Sequence, residues 1–340
     1  MTLAAVALFL AAELTARAIE PFAPTTEGWP SAQMAAKVDQ MTDLAAGSTD
    51  VDVVFLGSSS MDQALNPLTF NSEGNGVTAY NASINAMFMS SLELWAIEVV
   101  LPTLDPEVVV IGLTTRELND GGPQQHFDQL AESRGLIEFT TERPALISKV
   151  EDHLALLRIR EALRTPYSLA SNIIRRDRGE RLLTGPFGQK IPVERDFSYE
   201  FSDAWRENWI TKEMRDFAMG DVQFEALERL VAEIRNQGRS VVLLPLPVSS
   251  DYDAVQPGGA TSLSEFQTLL SSVAGPGVAI IEPEIQFQSQ DFRDPAHLNP
   301  IAAVEFTNVL LRDLAVLAEH DFQLAATHRW LASFAPARAK

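Results

Sequence analysis

The stretch VDVVFLGSSSMDQALNP, Val51 to Pro67, decides the fold. Val51–Leu56 is valine-rich, apolar except for Asp52, and closed by Gly57. An apolar run without alternation, stopped by a glycine, reads as a parallel strand buried on both faces. It delivers Gly57-Ser58-Ser59-Ser60 at its carboxyl end. Reactive groups in doubly wound sheets sit beyond the carboxyl ends of strands. The serines are therefore either a flexible turn or a nucleophile held at the rim of a sheet.

Working outward, α/β alternation surrounds this strand. Val77–Asn81 reads as a second short strand, Met87–Leu101 as a helix and Glu107–Leu113 (EVVVIGL) as another buried strand. After an interruption the alternation resumes. The helix FEALERLVAEIRNQG closes at Gly238, and Ser240–Leu244 is a strand. Ser262–Val273 is then a helix, Val278–Ile281 a strand and Pro300–Leu317 the last helix. Five strands with helical crossovers predict a three-layer α/β/α, doubly wound parallel sheet. The interruption, about 121–220, is polar and charged, with aromatics at Phe197, Tyr199, Phe201, Trp205 and Trp209. Long excursions in compact domains are usually functional, so it is expected as an insertion over one end of the sheet. Residues 21–48 read as a linker leading to a helix near Ala32–Ala45, and 320–340 as a weakly basic tail.

The 340 residues carry a formal net charge of -20, which argues against nucleic acid as a partner. There is no cysteine, so disulfides, thiolate metal sites and cysteine nucleophiles are all excluded. Residues 3–12 are an uncharged apolar run, too short to span a bilayer, which takes roughly 20 residues. The run abuts Met1 and lacks the basic start of a signal peptide. Residues 1–20 are therefore expected to belong to an N-terminal membrane anchor that begins upstream, with a short buried or amphipathic helix as the alternative.

A serine hydroxyl needs a base within hydrogen-bond reach and a third group to orient that base. SQDFRDPAHLNPIAA (Ser289–Ala303) follows the fifth strand and sets Asp294 three residues before His297. That spacing lets the carboxylate reach Nδ1 and leaves Nε2 free as the base. Asn299-Pro300 supplies an N-cap and a first-turn proline for the last helix, which would fix the loop. His126, His153, His320 and His328 lack such a setting and read as structural or solvated. No histidine pair has metal-ligand spacing, and no Walker loop or dinucleotide fingerprint occurs, so neither metal nor cofactor is expected.

At these residues the chain resembles the SGNH/GDSL hydrolase superfamily. The resemblance rests on Gly57-Ser58-Ser59, YNASINA (Tyr80–Ala86), FRDPAHLNPIAAVEF (Phe292–Phe306) and the N-terminal apolar run. It is closest to the cell-envelope branch associated with membrane-bound O-acyltransferases, including the esterase-like protein of teichoic-acid D-alanylation. It covers roughly Asp50–Asp120 and Val222–Leu317, and implies a flavodoxin-like sheet. It also implies Ser59 as nucleophile, His297 as base and Asp294 as its orienting acid. The Ser59 and Ala86 amides would line an oxyanion hole, with alanine where the family usually has glycine.

The family's third oxyanion donor, an asparagine after the third strand, is missing. IGLTTRELND offers Thr114 or Thr115 there, with Asn119 further on; a threonine substitutes, Asn119 folds back, or the chemistry is slow. Thr114 is the expected donor, with Gly57, Ser58, Asn85 and Thr115 beside the substrate. The resemblance implies an extracytoplasmic, membrane-anchored esterase or O-acyltransferase acting on an envelope polysaccharide through an acyl-serine. The alternative is a non-catalytic accessory domain docked to a membrane acyltransferase.

Overall fold

The computed structural model describes residues 2–23, 28–47, 49–73, 76–122, 125–141, 153–160, 163, 169–170, 173–174 and 184–320. The C-terminal tail with His328, and much of the interruption between 142 and 183, lie outside the described residues. The chain divides into two compact units, one of Met1–Asp39 with Gln129–Thr184, the other of Gln40–Asp128 with Gly185–Lys340. The span expected as a single insertion is thus shared between them.

The larger unit holds the sheet. Its strands are β1 (Val53–Leu56), β2 (Ala79–Asn81), β3 (Val108–Leu113), β4 (Ser240–Pro245) and β5 (Val278–Ile280). They pair in the order β2-β1-β3-β4-β5, every neighbour parallel. Helices including Met89–Trp95, Val222–Asn236, Ala260–Val273 and Pro300–His320 flank the sheet, giving the expected three-layer α/β/α fold. Strands β1 and β3 are wholly buried, which is why they read as unbroken apolar runs. The order reverses between β1 and β3, where doubly wound sheets place their ligands.

Several boundaries differ from the sequence reading by a few residues, and two of them have a clear local reason. Strand β1 begins at Val53 because Asp52 turns its carboxylate to the Thr78 amide at 2.7 Å. The helix expected over Met87–Leu101 runs from Met89 to Trp95 and continues as a π-turn over Ala96–Val100. Pro102 follows, with no N–H to return to the preceding turn. At the sheet's carboxyl edge Met61 is fully buried, and a Cβ on either Gly57 or Gly112 would collide with its side chain. These glycines provide clearance for a packed methionine.

The smaller unit contains the helix Thr2–Ile19. Ala16 packs with Ala155, Ile159 and Leu169. Glu13 accepts hydrogen bonds from the Ala155 and Leu156 amides at 2.9 and 3.0 Å, capping the short helix Ala155–Arg158. Arg17 pairs with Glu13 at 2.9 Å and donates to the His153 carbonyl. Ahead of this lock, residues 4–12 are exposed on every side, Leu8 by 72%. No helix among the described residues is long and apolar enough to cross a membrane.

Candidate active site

Ser58 leaves β1 in an extended conformation and caps the helix Ser59–Ala64 by accepting from the Ser60 amide. Ser59 is therefore the first helical residue, with its side chain at the carboxyl edge of the sheet. On another edge of the same rim, β6 (Phe292–Asp294) and β7 (His297–Leu298) form a tight antiparallel hairpin that pairs Asp294 with His297. Asn299 closes this hairpin and starts the last helix, accepting from Ile301 and Ala302 amides at 2.9 Å each. Pro300 opens that helix.

These pieces bring the three expected residues together. His297 Nε2 lies 2.8 Å from Ser59 Oγ, and His297 Nδ1 lies 2.7 Å from Asp294 Oδ1. With Nδ1–H donated to the carboxylate, Nε2 is left to accept from the serine. Asp294 Oδ1 also accepts the Ala296 amide at 3.0 Å, and Oδ2 meets Arg293 Nε at 3.2 Å. Burial pushes the Asp294 carboxyl up, but the neighbouring His297, the Ala296 amide and Arg293 outweigh it and hold it below the usual carboxylate range. Ser59, Asn85, Ala86, Asp294 and His297 line a cleft of about 360 Å³.

Ala86 has φ 65°, so this position does need the left-handed conformation for which glycine is the ordinary choice. An alanine there carries a strain of about 1 kcal/mol. Neither the Ser59 nor the Ala86 amide donates to a backbone acceptor among the described residues. Both residues line the cleft, which makes their N–H groups the candidate oxyanion donors.

The remaining expected residues are engaged elsewhere. Thr114 donates both its N–H and its hydroxyl to Glu117 Oε2, each at 2.7 Å, so it has no donor left for an oxyanion. Thr115 is buried and bonds Gln256 and Tyr252, away from the cleft lining. Asn119 does not fold back. Its amide donates to the Glu213 and Arg215 carbonyls and its oxygen accepts from Gly121 and Ala218. Ser58 is buried and donates to Glu117 at 2.6 Å, and Gly57 packs on Met61, so neither faces a substrate.

Sequence reasoning missed Arg116, Glu117, Glu213, Arg195 and Arg293. Arg116 and Glu117 are both buried and ion-paired, and Arg116 also pairs with Glu213 at 2.6 Å. The available signal was a charged dipeptide beginning three residues beyond a fully buried strand. Of the aromatics, Trp209 is buried and Trp205 half-buried, their rings stacked 4.8 Å apart, and both line the cleft. Phe201 and Phe217 pack behind them. No protein-family model matches the chain, and no curated protein matches it significantly.

Proposed function

We propose that the protein is a serine-dependent acyl-ester hydrolase or O-acyltransferase of SGNH type. The observation that carries this reading is the continuous relay Ser59 Oγ–His297–Asp294, with contacts of 2.8 and 2.7 Å, at the carboxyl edge of a parallel sheet. His297 takes the Ser59 proton as Oγ attacks the acyl carbonyl, and the Ser59 and Ala86 amides receive the oxyanion. The protonated His297 then gives its proton to the leaving alkoxide, leaving the acyl group on Ser59. Water completes a hydrolase cycle; a sugar hydroxyl completes a transfer. The half-buried Trp205 gives the cleft an apolar wall suited to a glycan acceptor, and acetyl is the simplest acyl group for it. The bare apolar turns at residues 4–12 support attachment to a membrane, consistent with an envelope polymer as substrate and a membrane O-acyltransferase as partner.

A second reading, a non-catalytic accessory domain, draws on one observation. Thr114 is consumed by Glu117, and Asn119 is locked away, so neither supplies the third oxyanion donor. Loss of one such donor typically costs about 10²–10³ in rate. The two readings separate on fluorophosphonate labelling and cleavage of 4-nitrophenyl acetate. The acyl-serine reading expects labelling and turnover in the wild type, both lost in Ser59→Ala and turnover lost in His297→Ala. A folded wild type that neither labels nor cleaves any acyl ester would leave the accessory reading standing.

A further inference from the structure

Two candidate oxyanion amides come from different turns, Ser59 after β1 and Ala86 after β2. One buried ion pair after β3 touches both turns, through the Ala86 carbonyl and the Ser58 hydroxyl. Arg116 Nη1 donates to the Met87 carbonyl at 2.9 Å and Nη2 to the Ala86 carbonyl at 3.3 Å. Its remaining N–H groups go to Glu117 Oε1 and Glu213 Oε2, so none is left for a ligand. The Phe88 ring lies 4.2 Å under the guanidinium and fixes its plane. Glu117 Oε1 accepts the Ser58 hydroxyl at 2.6 Å, while Oε2 is held by Thr114. Ser58 in turn caps the helix that Ser59 begins.

We infer that Arg116 and Glu117 are positioning residues that jointly set the oxyanion hole. Arg116 holds Ala86 in its left-handed conformation, and Glu117 fixes Ser58 beside Ser59. This rests on the acyl-serine reading above. Binding the Ala86 and Met87 carbonyls fixes the peptide planes that follow Ala86. Those planes keep the strained turn in which the Ala86 N–H stays unpaired. An alanine released from this grip relaxes out of the left-handed region, taking one of two donors with it. The third strand therefore contributes a brace rather than a donor.

The test is Arg116→Lys, alone and combined with Ala86→Gly. Lysine keeps a positive charge beside Glu117 and Glu213 but cannot reach both carbonyls and both carboxylates. The single variant is expected to lower kcat for 4-nitrophenyl acetate by about 10–100-fold, with KM within about threefold. Glycine occupies the left-handed region without penalty, so adding Ala86→Gly is expected to restore kcat about fivefold or more. The Ala86 Cα and Cβ chemical shifts are expected to leave the left-handed range in Arg116→Lys. Unchanged shifts, or a kcat loss that glycine does not recover, would overturn the inference. The shifts decide it even if the wild type cleaves no ester, an outcome that counts against the acyl-serine reading alone. Should Arg116→Lys fail to fold, Glu117→Gln is measured instead, with a kcat loss of at least about tenfold expected and an unchanged kcat contrary.

Discussion

Asp294 keeps its charge although only 5% of its surface is exposed. Its carboxyl titrates below the usual value of about 4 because His297, Ala296 and Arg293 favour the anion more than burial opposes it. A depressed folded pKa means the ionised form contributes stability above the unfolded value, and that contribution is lost as pH falls through the folded value. The stability gap between wild type and Asp294→Asn, measured by urea unfolding, is therefore expected to be flat above about pH 5 and to shrink below about pH 4. Activity in Asp294→Asn should fall by roughly 10²–10⁴ at every pH above that range, since asparagine can hold the wrong tautomer of His297. A gap that widened toward acid would contradict the assignment. At this scale the proximity of Ser59, His297 and Asp294 was legible because a serine, a histidine and an aspartate suited to a triad have recognisable types and spacing. Arg116 was not, because its contacts exist only once folding has brought residues 86, 87 and 213 around it.

Among the elements, the β6–β7 hairpin depends on a segment of the interruption. The Glu200 amide donates to the Arg293 carbonyl at 2.7 Å, and Arg293 Nη1 donates to buried Asp196 at 2.8 Å. Asp196 also pairs with Lys190 at 3.0 Å. Removing Asp196 leaves Arg293 paired with Asp294 and Lys190 partly exposed, so the cost stays below that of a fully buried pair, at about 1–3 kcal/mol. Asp196→Ala is accordingly expected to lower stability by about that amount and kcat by about tenfold, through a displaced Arg293 beside Asp294. A folded variant with wild-type kcat would show that this segment only supports the hairpin's stability. The strands and main helices were readable from buried valine runs and helical periodicity. The described part of the interruption was not, since Asp196 and Glu200 are tied to Arg293 far along the chain, a pairing that leaves no period in the sequence.

At the scale of the whole molecule, an acidic protein carries a neutral, exposed apolar segment. The net charge of -20 repels anionic surfaces, whereas residues 4–12 bear no charge and expose Leu8, Phe9 and Leu10. If the segment enters a bilayer, the full chain is expected to sediment with neutral phosphatidylcholine vesicles more than with anionic ones. Leu8→Lys is expected to weaken that partition by about tenfold or more. Equal, negligible sedimentation of both proteins would remove the membrane proposal for this helix. The Glu13 cap implies that whatever holds the segment is tied directly to the Ala155–Arg158 helix.

Met61 gives the opening glycine a meaning beyond a turn. Its side chain fills the space where a Cβ of Gly57 or of Gly112 would stand. The three positions form one steric unit although two different strands supply the glycines. In evolutionary terms none can drift alone. A larger residue in place of Gly112 requires a smaller one at 61, whereas one in place of Gly57 also meets the Gly112 carbonyl and would shift the short helix that carries Ser59.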